Sequence, residues 1–375
     1  MVGLAFALML QAASPDVVVT GHRLEEAYRR CAAGQCTPLE DARASIAYAE
    51  ELFRKGKYQD AKRLLGAATT RNRDHAASDP RPVSALYEAY ATVTLHEGDL
   101  DRYRGAVANE VNTLRDHLPA DDPAVVESGL ALGDVWLKLG HAEDAERAYR
   151  TVERQATKAG QPTTAALAII RRAILASGLG QYARASAMID DIEASQPTLD
   201  PAVRAVLPVV KLRLAAKRAD DGAVDALVAK LGTGTTGAPV LVWAPPYEET
   251  ADAEADRQAV KFRETSPVMA RSTDYNPIRW ADIGFWIRPD GQTGEAEVLR
   301  GTPYRAWTAP LLRQISRRRY MPSAGSGPGA YRVERFTERS IYVTPIKSLV
   351  RRRAGPVSLE VLDLSAPPDT RAPTK

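Results

Sequence analysis

Apolar residues recur along the first 231 positions at helical spacing, in runs interrupted by single glycines. The interrupted runs read ELFRKGKYQDAKRLLGAA around Gly56, TLHEGDLDRYRGAV around Gly98, WLKLGHAEDAERAYRTV around Gly140 and ASGLGQYARASAMIDDI around Gly180. Successive glycines lie 42, 42 and 40 residues apart, and a weaker unit, AKRADDGAVDALVAKL, places Gly222 another 42 residues on. In each unit an apolar helical run precedes the glycine, and apolar residues follow at fixed offsets, as Ala61, Leu65 and Ala68 do after Gly56 and Ala145, Tyr149 and Val152 after Gly140. This pattern predicts helical hairpins over 40–231: one helix ends, glycine permits a turn closed to residues with a Cβ, and a second helix packs back where small side chains allow close approach.

Repetition at a fixed period is the mark of a stacked array, because one hairpin cannot bury its own apolar face. The units resemble the tetratricopeptide repeat, with a period of about 42 in place of about 34. The resemblance implies a right-handed helical-hairpin solenoid whose concave side takes a peptide or protein. Arg54, His96 and Lys138 each stand two residues before a glycine. They are a candidate cationic column on that concavity, against the alternative that they are solvated residues suited to the carbonyl ends of helices.

Beyond Leu231 the pattern changes. GTGTTGAP, residues 232–239, is glycine-rich but lacks the Gly-Lys-Ser/Thr ending of a phosphate loop, so 232–265 reads as a linker containing a short apolar run at Val240–Trp243. From Trp280 the period is two. Ile283, Phe285 and Ile287 alternate, Pro289-Asp290-Gly291 forms a turn, and Ala296 and Val298 alternate on the return, which predicts a β-hairpin. RAWTAPLLRQISRRR then carries Trp307, Leu311 and Ile315 on one helical stripe, with Pro310 in the first turn and Thr308 as a candidate cap. YRVERFTERSIYVTP supplies one or two further strands.

The order DIGFWIRPDGQTGEAEVLRG, helix, RRRYMP, GSG and final strand resembles the C-terminal domain of TonB family proteins, with SPVMA at Ser266–Ala270 as a relic of that family's earlier proline motif. The expected fold is therefore mainly α with a small α+β domain of β-β-α-β order over 266–360, followed by a disordered tail at 361–375. The resemblance implies binding of the Ton box of outer-membrane transporters by strand addition at a sheet edge. The candidate edge is the last strand, roughly Arg332 to Val343, with the hairpin edge as the alternative; Arg332, Val333, Arg335, Ile341 and Val343 are the candidate partner-binding residues.

Residues 1–14, MVGLAFALMLQAAS, read as a secretory signal without a basic residue ahead of its apolar run; a longer start would make them an inner-membrane anchor, and a buried helix is the plain alternative. In the segment 15–39, PDVVVTGHR looks like the N-terminal stretch of TonB-dependent receptors, against the plain alternative of a disordered end. Cys31 and Cys36 are the chain's two cysteines and fit a local disulfide in an oxidising compartment; free thiols are the alternative, and zinc would need more ligands.

With 45% apolar and 26% charged residues and a net charge of +3, the composition is that of folded protein and argues against nucleic acid as a partner. Arg317–Arg319 read as a helix end, with an acidic-ligand site as alternative, and Arg351–Arg353 as a candidate for peripheral membrane contact. His22, His75, His96, His117 and His141 show no metal-ligand spacing, and neither a nucleophile elbow nor a Cys/His signature is present. The sequence thus predicts a non-enzymatic, cofactor-free periplasmic adaptor that binds proteins, with a TonB-type energy transducer as the alternative if the N-terminus is an uncleaved anchor, and an enzyme whose active site is assembled from distant residues as the third reading.

Overall fold

The computed structural model describes residues 16–194, 201–216, 239–247, 278–303, 305–322, 329–343 and 352–365, with positions 224, 226 and 228 between them. The signal-like segment 1–14, most of the Gly222 unit, the SPVMA and GSG motifs and the tail beyond 365 lie outside the described residues.

Helix α1 (Asp16–Ala32) leads into four hairpins, α2 (Pro38–Arg54) with α3 (Tyr58–Asn72), α4 (Pro80–Glu97) with α5 (Leu100–His117), α6 (Pro123–Lys138) with α7 (Ala142–Lys158), and α8 (Pro162–Gly178) with α9 (Tyr182–Ala194). A further helix, α10 (Pro201–Ala216), follows. The predicted glycines Gly56, Gly98, Gly140 and Gly180 all adopt left-handed φ between 74° and 83°, which ends each first helix and reverses the chain. A proline also occupies the first turn of α2, α4, α6 and α8, where its missing N–H costs nothing. The fixed-offset residues are the inter-helix core, with Ala61, Leu65, Ala68, Ala145, Tyr149 and Val152 at most 2% exposed. Gly133 matters as well, because a Cβ there would meet the Tyr149 ring at 2.3 Å, so α6 and α7 touch through it.

PDVVVTGHR is neither strand nor unordered from Asp16 on, since it opens α1. The β-preference of its three valines yields to the helix that continues through Ala32. Cys31 and Cys36 are disulfide-bonded across the α1–α2 turn.

The second half is built on a four-stranded antiparallel sheet in the order β3-β2-β5-β6, from β2 (Arg279–Ile287), β3 (Thr293–Gly301), β5 (Ala330–Val343) and β6 (Arg352–Asp363). A two-stranded ladder joins β1 (Leu241–Trp243) to β4 (Arg319–Tyr320). Reading 232–265 as linker throughout therefore fails at β1, and its Leu241 and the nearby Tyr247 pack against the core of the sheet. Helix α11 (Ala309–Ser316) covers one sheet face, with Trp307, Leu311 and Ile315 packed on Ile283, Phe285, Ile287 and Phe336. Thr308 does not cap α11 by its side chain; its hydroxyl donates to the Arg305 carbonyl instead. The tail boundary also moves, because β6 runs to Asp363.

Among the described residues no helix is long and apolar enough to cross a membrane.

Candidate functional site

The C-terminal ends of α2, α4 and α6 form a row, and the sheet lies across it. Opposite the face covered by α11, β2 and β5 present Trp280, Asp282, Arg335, Thr337 and Arg339, with Asp282 paired to Arg335 and Trp280 to Thr337 across the ladder. Arg335, fully buried, donates to the Phe53 carbonyl at 2.5 Å and the Arg54 carbonyl at 2.6 Å, which are the last carbonyls of α2. Its guanidinium is held by Asp282 at 2.6 and 2.9 Å and lies 4.0 Å from the Trp280 ring centroid. Four residues on, Arg339 donates to the Leu95 carbonyl at 2.6 Å, near the end of α4. At the end of α6, Lys138 binds Glu360 of β6 at 2.6 Å. Each contact places cationic or donor chemistry against a carbonyl-rich helix end, or bridges from it, where the helix dipole favours positive charge.

Of the candidate column Arg54, His96 and Lys138, the sheet buries only His96, while the Lys138 side chain stays 43% exposed beside Glu360. Arg54 contributes a carbonyl to Arg335. His96 is 4% exposed, with Nδ1 3.2 Å from the Thr337 hydroxyl and its ring edge-on to Phe53 at 5.0 Å. Burial, followed by the positive charges of Arg339, Lys138 and Arg335, pushes its pKa down to about 3, so it sits in the seam uncharged. Tyr58 adds a hydroxyl contact to Thr337 at 3.2 Å. A Cβ on Gly56 would fall 2.4 Å from Trp280 Nε1, so the sheet touches the array through a glycine.

The proposed edge needs a correction too. β5 carries Arg332, Val333, Arg335, Ile341 and Val343, yet it is an interior strand, paired to β2 from Ala330 to Glu338 and to β6 from Glu334 to Val343. Arg332 binds Asp363 at 2.5 Å, Val333 exchanges contacts with Ser365 and Leu364, and Val343 pairs with Arg352. Within the four-stranded sheet, the strands paired on one side only among the described residues are β3 and β6. β3 has two register shifts against β2 and a left-handed Glu295 at φ 53°, which disturbs its outer edge. β6 has one shift, near its start.

Sequence reasoning missed that the array and sheet recognise each other. The available signal was YRVERFTERS itself, whose charged and polar residues at consecutive positions depart from the hydrophobic-in, polar-out alternation of a strand with one solvated face. On the other face Arg318 is buried against Glu334 at 2.7 Å, between the Phe285 and Phe336 rings, so the central arginine of Arg317–Arg319 serves the domain's own core.

A surface hollow of about 390 Å³ between α1, α2 and α3 is lined by Tyr28, Tyr48 and Leu52 with the ion pairs Glu25–Arg29 and Asp60–Arg63, whose charges satisfy each other. No group of three metal-binding side chains occurs among the described residues.

No protein-family model and no curated protein matches the chain. Similar solved structures include the TPR-like repeats of a putative kinesin light chain from Podosopora anserina, 16% identical over 52% of this chain and 93% of that one, with a TM-score of 0.43. BtubC (BKLC) from P. vanneervenii is 16% identical over 64% of this chain and all of that one, at 0.46. A tetratricopeptide repeat protein from Parabacteroides merdae is 16% identical over 67% of this chain and 80% of that one, at 0.41.

Proposed function

We propose that this chain is an exported, protein-binding adaptor of the cell envelope, in which a TPR-like array carries a sheet domain that takes a partner's strand. The observation that carries this reading is the pairing of a stacked hairpin array with a sheet whose outer strand β6 is long and paired on one side only. Hairpin arrays of this kind are protein-binding surfaces, and an open strand edge offers unpaired backbone groups to an extended peptide. The Cys31–Cys36 disulfide supports export to an oxidising compartment such as the periplasm. The strand order and motifs that resemble a TonB C-terminal domain support a Ton-box-like ligand.

A synthetic Ton-box peptide titrated into the isotope-labelled chain tests the strand-addition part. Amide resonances of β6 should shift most, those of β3 less, and those of interior β5 least. No shift in either outer strand at millimolar peptide would sink strand addition. The mature N-terminus, read by mass spectrometry after cell fractionation, tests export: a soluble periplasmic species starting near residue 15 supports the adaptor. Retention of Met1 in the inner membrane would favour the anchored transducer.

A further inference from the structure

We propose that the sheet domain is a detachable cover of the array, closed over the ends of α2, α4 and α6 and released when His96 takes up a proton. This goes beyond the adaptor reading, because it concerns how two parts of one chain hold each other and is measured without a partner.

Three observations carry it. Each half keeps a core of its own, α2 to α9 in their apolar clusters and the sheet in Ile283, Phe285, Trp307, Leu311, Ile315 and Phe336, while one shared cluster, Val209 and Leu212 of α10 with Val242 and Trp243 of β1, joins them as a pivot. Lifting the sheet off the ends of α2, α4 and α6 about that pivot exposes few apolar side chains, chiefly Ile278, Trp280 and Leu362, which pack on the first hairpins. The seam is otherwise made of polar contacts, as in interfaces that come apart. It is also imperfect, since Nη1 of Arg339 is buried without a hydrogen-bond partner, a cost that detachment relieves.

The third observation is the charge around His96. From β5, Arg335 and Arg339 face it, and from α6, Lys138 does. Tyr58 of α3 shares its contact with Thr337. The seam's carboxylates are engaged elsewhere: Asp282 holds Arg335 and Arg300, and Glu360 holds Lys138 and Arg339. A proton on His96 would therefore add a positive charge at a position 4% exposed, beside Arg335 and Arg339 and near the half-exposed Lys138, with those carboxylates already engaged. In the detached state water solvates the same imidazolium.

The sign follows. The docked pKa lies below the ordinary value, so docking is unaffected above about pH 6.5 and weakens as pH falls towards 3. The ratio of detached to docked molecules should rise about tenfold per pH unit below about 6.5, or roughly thirtyfold between pH 7.5 and 5.0.

Dyes on cysteines replacing the exposed Lys158 of α7 and Glu297 of β3 in the full chain would report the separation by single-molecule energy transfer. The expected result is a low-transfer population that grows thirtyfold relative to the docked one over that range. In His96→Asn the ratio should stay constant. His96→Phe, which keeps a ring against Phe53, should behave likewise if the asparagine variant fails to fold. An unchanged ratio in the native chain, or the same acid response in a folded His96 variant, overturns the proposal.

Discussion

Glu110 stands twelve residues after Gly98, where the other hairpins carry Ala68, Val152 and Ile192, each buried. It too is buried, at 8% exposed, and burial, helped by nearby Glu88, pushes its carboxyl pKa up to about 8. A carboxyl that holds its proton more tightly when folded loses stability as pH rises from its ordinary range through about 8. Glu110→Val should therefore raise unfolding stability by on the order of 2 kcal/mol above pH 8 and by little near pH 4.5, read from urea transitions at both. No gain at the higher pH would mean the carboxyl is better satisfied than its surroundings indicate. Two glycines allow a sharper comparison. Gly140→Ala meets nothing within 4 Å and should cost only the left-handed strain of about 1 kcal/mol, whereas Gly56→Ala must also displace Trp280 and should cost clearly more. Equal losses in denaturant unfolding would show that the sheet does not press on the first turn.

At the scale of elements, legibility followed period. The four hairpins, the β2–β3 turn and the Trp307–Leu311–Ile315 stripe each repeat a simple spacing, and each formed where it was read. β5 was recognised as a strand but placed at the wrong position, because a sequence does not say what lies on either side of a ladder. β6 went unnamed. Its clue was Leu359 alternating with Val361 after Pro356, a proline that suits an outer strand because its missing N–H spoils no ladder on the open side. Arg335 on β5 gives the test at this scale. Arg335→Ala leaves the buried Asp282 with Arg300 as its remaining cation and the Phe53 and Arg54 carbonyls without their donor, a loss of about 3 kcal/mol. Replacing both partners, as Arg335→Met with Asp282→Leu, should cost distinctly less. Additive losses from calorimetry of the two single variants and the pair would refute the coupling.

For the whole molecule, each half was legible and their union was not. The residues that join them, Arg54, His96 and Lys138 on one side and Arg335, Thr337 and Arg339 on the other, lie about 200 to 285 positions apart, a separation no local spacing can reveal. The candidate column was placed on the correct helix ends, but with solvent assumed where the sheet sits. The end of α6 is the margin of the cover, with Leu137 44% exposed beside Lys138, and past it α8 stays open, with Ile174 43% and Leu179 56% exposed, so the array retains apolar surface past its covered part.

The four-residue step from Arg335 to Arg339 has a consequence for the repeats beneath it. Along a strand that step is about 13 Å, of the order of the distance between neighbouring first helices in stacked hairpins. β5 thus works as a ruler laid on the array, with one graduation at α2 and the next at α4. Both covered glycine intervals measure 42 residues, and the first interval past the cover measures 40. One residue inserted between the two arginines would turn Arg339 to the α11 face and take the ruler off its marks.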